Sequence, residues 1–533
     1  MKTRKFLIYS LIWIFMLSFS YSCVDEFLEV FPEDKITPAI FPENEADIQM
    51  LLNGVYANLR ETGLYNQGLF AFGVMDGATP NAFNWGNLAW TKAGNGSLAS
   101  TDGNNLVFAW TRAYSIIRRA NVFIDMVEKL RDEDTGISDE AFSMYLGEAY
   151  FLRGLAFSRL VELYGGVPIV TTPITTEEAR QLTRASAEDT WSQVISDYNF
   201  AIDNLKADAP QVGRATKGAA LGLKMRALLY QGKYSEVLTV INEIDALGKY
   251  SLFPSYEGLF LLQNQNNEEV LFDIQYMRGE NNQGSSHDQF CGTGTGTHTR
   301  GTRYVPTDDL VSAYEMIDGS EVLPAGPWVS PDLPWELRDP RLDITIVRPG
   351  AYYLDHRFPN YLYAGGAYTH PGNSIKHLSS RKYFVEPFED LAPAHQSDLN
   401  YIVMRYADVI LSKAEAIIET GGNIDEAVEL INRIRTERDD VKISSLPMGL
   451  SQTEARQKLR HERRIEFALE GLYWADIKRW NIGADIYPVE VRNHTGGLVE
   501  IKFPQGYSEH QNLLPIPDGE RALNPNLVQN PGW

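Results

Sequence analysis

The chain has 533 residues, of which 44% are hydrophobic and 22% charged, the balance of an ordinary folded protein rather than a disordered or collagen-like one. Two cysteines exclude a small disulfide scaffold. A net charge of -22 sets the surface against phosphate backbones, which excludes a general nucleic-acid binder and leaves neutral ligands open.

The chain begins with a targeting segment. Lys2, Arg4 and Lys5 precede an uncharged apolar run from Phe6 to Ser22, at the short limit for a spanning helix. The run stops at Cys23, and Asp25 and Glu26 follow. Residues 1–22 resemble a bacterial lipoprotein signal, in which Cys23 becomes the lipid-modified first residue. The acidic residues after it are similar to the surface-export signal of some Gram-negative lipoproteins. Ser20 stands where such signals usually carry leucine, so an ordinary secretory signal cut nearby, with Cys23 incidental, is the alternative. No later stretch approaches a spanning length. With Cys23 acylated, Cys291 has no partner and no disulfide is expected.

The next signals are helical. Tyr145, Ala149, Leu152, Ala156, Leu160 and Leu163 recur at steps of three and four, one face of an α-helix, stopped by Gly165-Gly166-Val167-Pro168. Ala220, Leu223, Ala227 and Tyr230 form a second such face, stopped at Gly232. Val237, Ile241 and Ile244 form a third, stopped at Gly248. So short a join packs neighbouring helices antiparallel. From about Gly279 to Asn400 the chain turns rich in Gly, Pro, Asn, Asp and Tyr, and no helical period lasts beyond a turn or two; Gly68 to Asp102 has the same character. Val270–Ile274 and Ile344–Val347 read as short strands. Helical periodicity returns in Ala407, Leu411, Ala414 and Ile418, with Gly421-Gly422 as the turn into Ile424, Ala427, Ile431 and Ile434. Helix hairpins with glycine joins and small seam residues are TPR-like, without a strict 34-residue repeat. The expected architecture is mostly α: a TPR-like scaffold over about 45–250 and 404–480, and a loop-rich insert over about 270–400 that carries the ligand site.

Seven segments, in order, then carry a resemblance. The chain opens Cys23-Val-Asp-Glu-Phe-Leu-Glu-Val-Phe-Pro. It continues with AYFLRGLAFSRLVELYGGVPIVTTP (149–173), ATKGAALGLKMRALLYQGKY (215–234), and VPTDDLVSAYEMIDG (305–319) followed by RDPRL (338–342). MRYADVILSKAEA (404–416), HERRIEFALEGLYWADIKRW (461–480) and LLPIPDGERALNPNLVQNPGW (513–533) complete the set. Together they resemble the SusD/RagB family of outer-membrane nutrient-binding lipoproteins, over nearly the whole mature chain, 23–533. The resemblance implies a lipid-anchored protein on the outer face of the outer membrane, covering a SusC-like TonB-dependent transporter. It would capture an oligosaccharide, or in some branches a peptide, without catalysis and with no cofactor.

The residues can be asked for that chemistry separately. A glycan offers hydroxyls and apolar C–H faces, so a binder needs flat aromatics with amides, carboxylates or arginines beside them. Met75 to Trp90 supplies both kinds: Trp85 and Trp90 to stack, Asp76, Asn81, Asn84 and Asn87 to hydrogen-bond. In the insert the candidates are Tyr276, Arg278, Trp328, Trp335, Tyr352, Tyr353 and Tyr361. Other motifs point nowhere: Gly292-Thr-Gly294-Thr-Gly296 is not GxGxxG, and His461-Glu462-Arg463-Arg464-Ile465 lacks the second histidine of a zinc site. The Arg460–Glu470 run is expected to form ion pairs on and between helices. Among the 70 acids nothing selects a glycosidase pair, so a secreted glycosidase is the remote alternative and peptide capture the near one.

Overall fold

The computed structural model describes residues 42–61, 63–65, 72–84, 89–102, 104–131, 133, 135–279, 283–285, 304–322, 337–347, 378–383, 397–492 and 497–533. The expected targeting segment, Cys23, Cys291 and the Gly292–Gly296 run lie outside them.

The first half is a series of helices that pack pairwise. α1 (Glu45–Tyr56) starts at Asn44, whose side chain accepts from the Asp47 amide at 3.1 Å. β1 (Ala82–Asn84) and α2 (Ala89–Asn95) lead into the long α3 (Asn104–Arg131). α4 (Asp139–Tyr164) is capped by Ser138, with Asp139 and Glu140 favourably placed in its first turn. Buried almost all round from Tyr145 onward, it is the central rod against which α3 and α5 (Ala187–Asn204) pack. It ends where the Gly-Gly-Val-Pro signal predicts. Gly166 then passes so close to the backbone of 185–187 that a Cβ there would lie 2.0 Å from the Ala185 carbonyl oxygen. Arg184 and Asn530 fasten this corner: Arg184 donates to the Gly166 carbonyl (2.7 Å) and the Asn530 side chain (2.7 Å), and Asn530 donates to the Tyr164 carbonyl (3.0 Å).

α6 (Lys217–Tyr230) and α7 (Tyr234–Ala246) form the expected hairpin. The chain then leaves through β2 (Val270–Ile274) and returns through β6 (Tyr401–Arg405), its antiparallel partner, with Ile274 opposite Tyr401. Between them lie β3 (Tyr304–Pro306), α8 (Asp308–Ala313), α9 (Arg341–Thr345), β4 (Ile346–Val347) and β5 (Ser379–Ser380). The strand expected over Ile344–Val347 is only its second half, because Ile344 and Thr345 close the α9 turn that begins after Pro340. α10 (Tyr406–Glu419) and α11 (Ile424–Thr436) are the C-terminal hairpin. α10 packs on α7 and α6, so the helical stack runs on across the excursion as if the two hairpins were consecutive. α12 (Gln452–Glu466), started by a Ser451/Glu454 capping box, and α13 (Tyr473–Arg479) cover α10, and a β7 (Val489–Arg492)–β8 (Leu498–Lys502) ribbon follows. Among the described residues no helix is long and apolar enough to cross a membrane.

The Arg460–Glu470 run does form ion pairs, and most of them are buried. Glu466 accepts from Arg405 (2.7 Å), Arg438 (3.0 Å) and Arg341 (3.0 Å). Glu462 joins Arg341 (2.6 Å) to Arg435 (2.9 Å), and Glu470 meets Arg405 (2.8 Å) and Lys382 (3.0 Å). On the other side of α12, Arg463 bonds Asp408 (2.9 Å) on α10 and Asp476 (3.2 Å) on α13, and Asp408 also receives Arg226 (2.8 Å) from α6. Charges this deep are costly to desolvate and are held only because each finds a partner. The network ties the excursion, through Arg341 and Lys382, to the helical frame.

Candidate functional site

Two-stranded ribbons act as stems where the irregular segments leave the frame. β1 pairs antiparallel with β3, Ala82 opposite Pro306 and Asn84 opposite Tyr304. The chain that continues past Asn84 therefore departs beside the chain that arrives at Tyr304, although more than two hundred positions separate them. Ser285 bridges Ser397, and β4 pairs with β5. The Ser285–Ser397 bridge and the β4–β5 pair each bring together the two ends of an excursion, while β1–β3 sets the start of one beside the end of another.

The β1 stem rests on a polar footing. Asp76 accepts from the Leu469 amide (2.9 Å) and the Asn81 side chain (3.3 Å), and Asn81 in turn accepts from Arg464 (2.8 Å). The Asn81 carbonyl accepts from the Thr307 amide (3.1 Å), and Thr91 donates to the Asn84 carbonyl (2.8 Å). Lys502 reaches the Gly77 carbonyl (2.8 Å). Burial pushes the Asp76 carboxyl up to about 6, against the pull of these hydrogen bonds, and pushes Lys502 down to about 8.

This geometry places the sequence candidates as follows. Asp76, Asn81, Asn84 and Trp90 are all buried, and Trp90 meets Trp474 edge-on at 5.9 Å. Tyr276 is buried too, its hydroxyl donating to the Tyr65 carbonyl (2.8 Å). These five are side chains of the interior, and the first three gather at one stem. Arg278 stands at the surface, 40% exposed, with its Nε 3.4 Å from the Asp398 carboxylate. That pair presents a guanidinium and a carboxylate side by side where the excursion begins, the donor and acceptor set that bridges vicinal hydroxyls. Trp85, Asn87, Trp328, Trp335, Tyr352, Tyr353 and Tyr361 lie outside the described residues. Asp398 was missed by sequence reasoning, since a lone acid in a polar stretch carries no signal. Among the described residues no three His, Cys, Asp or Glu side chains converge on a metal position. His461 faces Glu315 at 3.7 Å, and Ile465 is buried in the core.

The comparisons with known proteins bear on this arrangement. Residues 268–533 match the model of a family described as the SusD family, and residues 26–229 match one described as starch-binding and associating with the outer membrane. The chain belongs to the SusD family. It is similar to SusD-like protein P2 of Formosa agariphila, 27% identical over 552 residues, with 98% of this chain and 99% of that protein covered. A SusD-like carbohydrate-binding protein of Bacteroides fragilis shares the fold, with a TM-score of 0.81 at 24% identity over 91% of this chain and 99% of that one. A laminarin-binding SusD-like protein gives 0.68 at 23% identity over 92% and 100%. The expected mostly α SusD-like architecture is thus the observed one.

Proposed function

We propose that this SusD-family chain is a cell-surface lipoprotein, anchored to the outer membrane by a lipid on Cys23, that captures an oligosaccharide and delivers it unaltered to a SusC-like TonB-dependent transporter. The observation that carries this reading is family membership over almost the whole length, including the stretch matched to the starch-binding, outer-membrane-associated model. The stems support it, because they gather the ends of the aromatic-rich segments on the frame. In this reading Trp85, Trp328 and Tyr353 stack on sugar rings and Arg278, with Asp398, bridges hydroxyls. Asp76, Asn81, Asn84, Trp90 and Tyr276 serve the site by holding the stems in register. A few stacking contacts give a modest affinity, ~10⁻³ to 10⁻⁶ M.

Calorimetry of the mature chain against a glycan panel that includes starch and laminarin fragments tests this. Binding to one class is expected, weakened by Trp85→Ala and by Arg278→Ala at unchanged thermal stability. Failure to bind any glycan, with native mass spectrometry finding retained peptides, would replace the oligosaccharide by a peptide. Release of shortened products would make the protein a glycosidase. Co-purification with a β-barrel partner from detergent tests the transporter.

A further inference from the structure

Away from the β1 stem, the turn Gln211–Arg214 between α5 and α6 stands over the outer side of β2. The Arg214 amide closes it onto the Gln211 carbonyl (3.2 Å). Gly213 adopts φ +83 and lies so close to Gln275 that a Cβ would fall 2.3 Å from its Cγ, so the position favours glycine and any side chain there is strained. Val212 at the tip is 73% exposed. On each side of this turn is a recess of about 380 Å³, within the size range of small-ligand sites. The two share the turn itself and a floor of Phe272 and Asp273, and so form one groove with the turn as its divider.

The lining mixes polar and apolar side chains and is nearly balanced in charge. On one side Arg60 donates to the Gln283 side chain (3.1 Å). Arg214 donates to Asn53 (2.7 Å), approaches Glu148 at 3.4 Å and lies 5.2 Å over the Tyr56 ring. Asp273, on the floor, accepts from Asn400 (2.9 Å) and from Gln275. On the other side Lys249 is paired with Asp208, and Tyr250 offers a half-buried ring. The positive charges of Arg60, Arg214 and Lys249 are matched in the lining by Asp208, Asp273 and the exposed Glu268, with Glu148 beside Arg214. Such a wall has no excess positive charge to select an anion. It offers side-chain amides, each both donor and acceptor, next to a guanidinium and a carboxylate, and a sugar hydroxyl likewise both donates and accepts. Apolar side chains along it, among them Tyr250, Leu271, Phe272 and Ile274, suit the C–H faces of a sugar ring.

We propose that this groove is a second oligosaccharide site for neutral, hydroxyl-rich glycans, with a sugar segment on each side of the Gln211–Arg214 turn and Arg60, Gln211, Gln275 and Asp273 as its hydrogen-bonding groups. It rests on the glycan-capture reading and adds to the loop-borne site a contact surface on the helical frame, reached from the excursion through Gln275 and Gln283.

The test uses the mature chain with maltohexaose and laminarihexaose as probes. For whichever hexasaccharide binds, hydrogen–deuterium exchange is expected to slow in peptides spanning 205–216 and 268–276. The double variant Arg60→Gln/Gln211→Ala is expected to lose about 10-fold in affinity, the worth of one charged hydrogen bond, with an unchanged melting temperature. Unchanged affinity in the double variant, or bound-state protection that spares the turn, overturns the groove while leaving glycan capture intact. If neither probe nor any other member of the glycan panel binds the wild-type chain, glycan capture fails and the groove proposal falls with it.

Discussion

Glu466→Gln keeps the shape of the side chain and removes its charge from the centre of the buried network. The carboxylate faces Arg405, Arg438 and Arg341 at 2.7, 3.0 and 3.0 Å and is fully buried. Removing one partner from such a site costs about 3–5 kcal/mol, because the remaining charges cannot move to water. With an unfolding entropy of ~2.1 cal/mol/K per residue, a chain of this size unfolds with ~1.1 kcal/mol/K, so the melting temperature falls by about 3–5 °C. The solvent-facing pair Arg433–Glu437 is the control: its 2.8 Å contact looks as good, yet Glu437→Gln is expected to cost about 0.5 kcal/mol or less. Burial pushes the Glu466 carboxyl up, but Arg438, Arg405 and Arg341 overcome it and hold the carboxyl well below its ordinary value of 4.5. Its stabilisation is therefore complete above pH 4.5 and is lost only as acid protonates it in the folded state. Differential scanning calorimetry of wild type and both variants from neutral to acid pH measures all of this. A drop below about 1 °C for E466Q at pH 7, or equal drops for the two variants, would refute the account of the network.

Gly166→Ala meets backbone, not a movable side chain, at 2.0 Å, so it is expected to destabilise by about 3 kcal/mol, the upper end of overpacking, readable as a melting shift. Asp76 behaves oppositely to Glu466: burial raises its pKa from 3.8 to about 6, so the folded state favours the protonated form. Its contribution is full below pH 3.8 and is lost as pH rises through about 6. Asp76→Asn should remove this loss, and melting curves for the two proteins that stay parallel between pH 4 and 6 would refute it.

The helical frame was legible because apolar spacing, glycine stops and alanine seams report directly on which face is covered, and the hairpins at 217–246 and 406–436 appear where that spacing places them. The depth of the charge network was not. The charges of Glu462, Arg463 and Glu466 point to ion pairs on and between helices but not to their burial, because partners such as Arg341 and Asp408 come from far away in the sequence. The β2–β6 pairing was likewise hidden, since β6 runs into α10 without a break and its partner lies far upstream. The loop candidates show the limit most clearly. Asp76, Asn81 and Asn84 look alike whether they face a ligand or brace a turn, and only their bonds to Leu469, Arg464 and the β3 stem distinguish the two.

The paired strands have a further consequence. Where a segment begins and ends at facing residues, as between Val347 and Ser379, its length can change without moving either attachment point. Doubling such a segment costs only about 0.6 kcal/mol in closure entropy. Segments carried on such stems can thus be exchanged among members of the family without disturbing the packing of the helical frame.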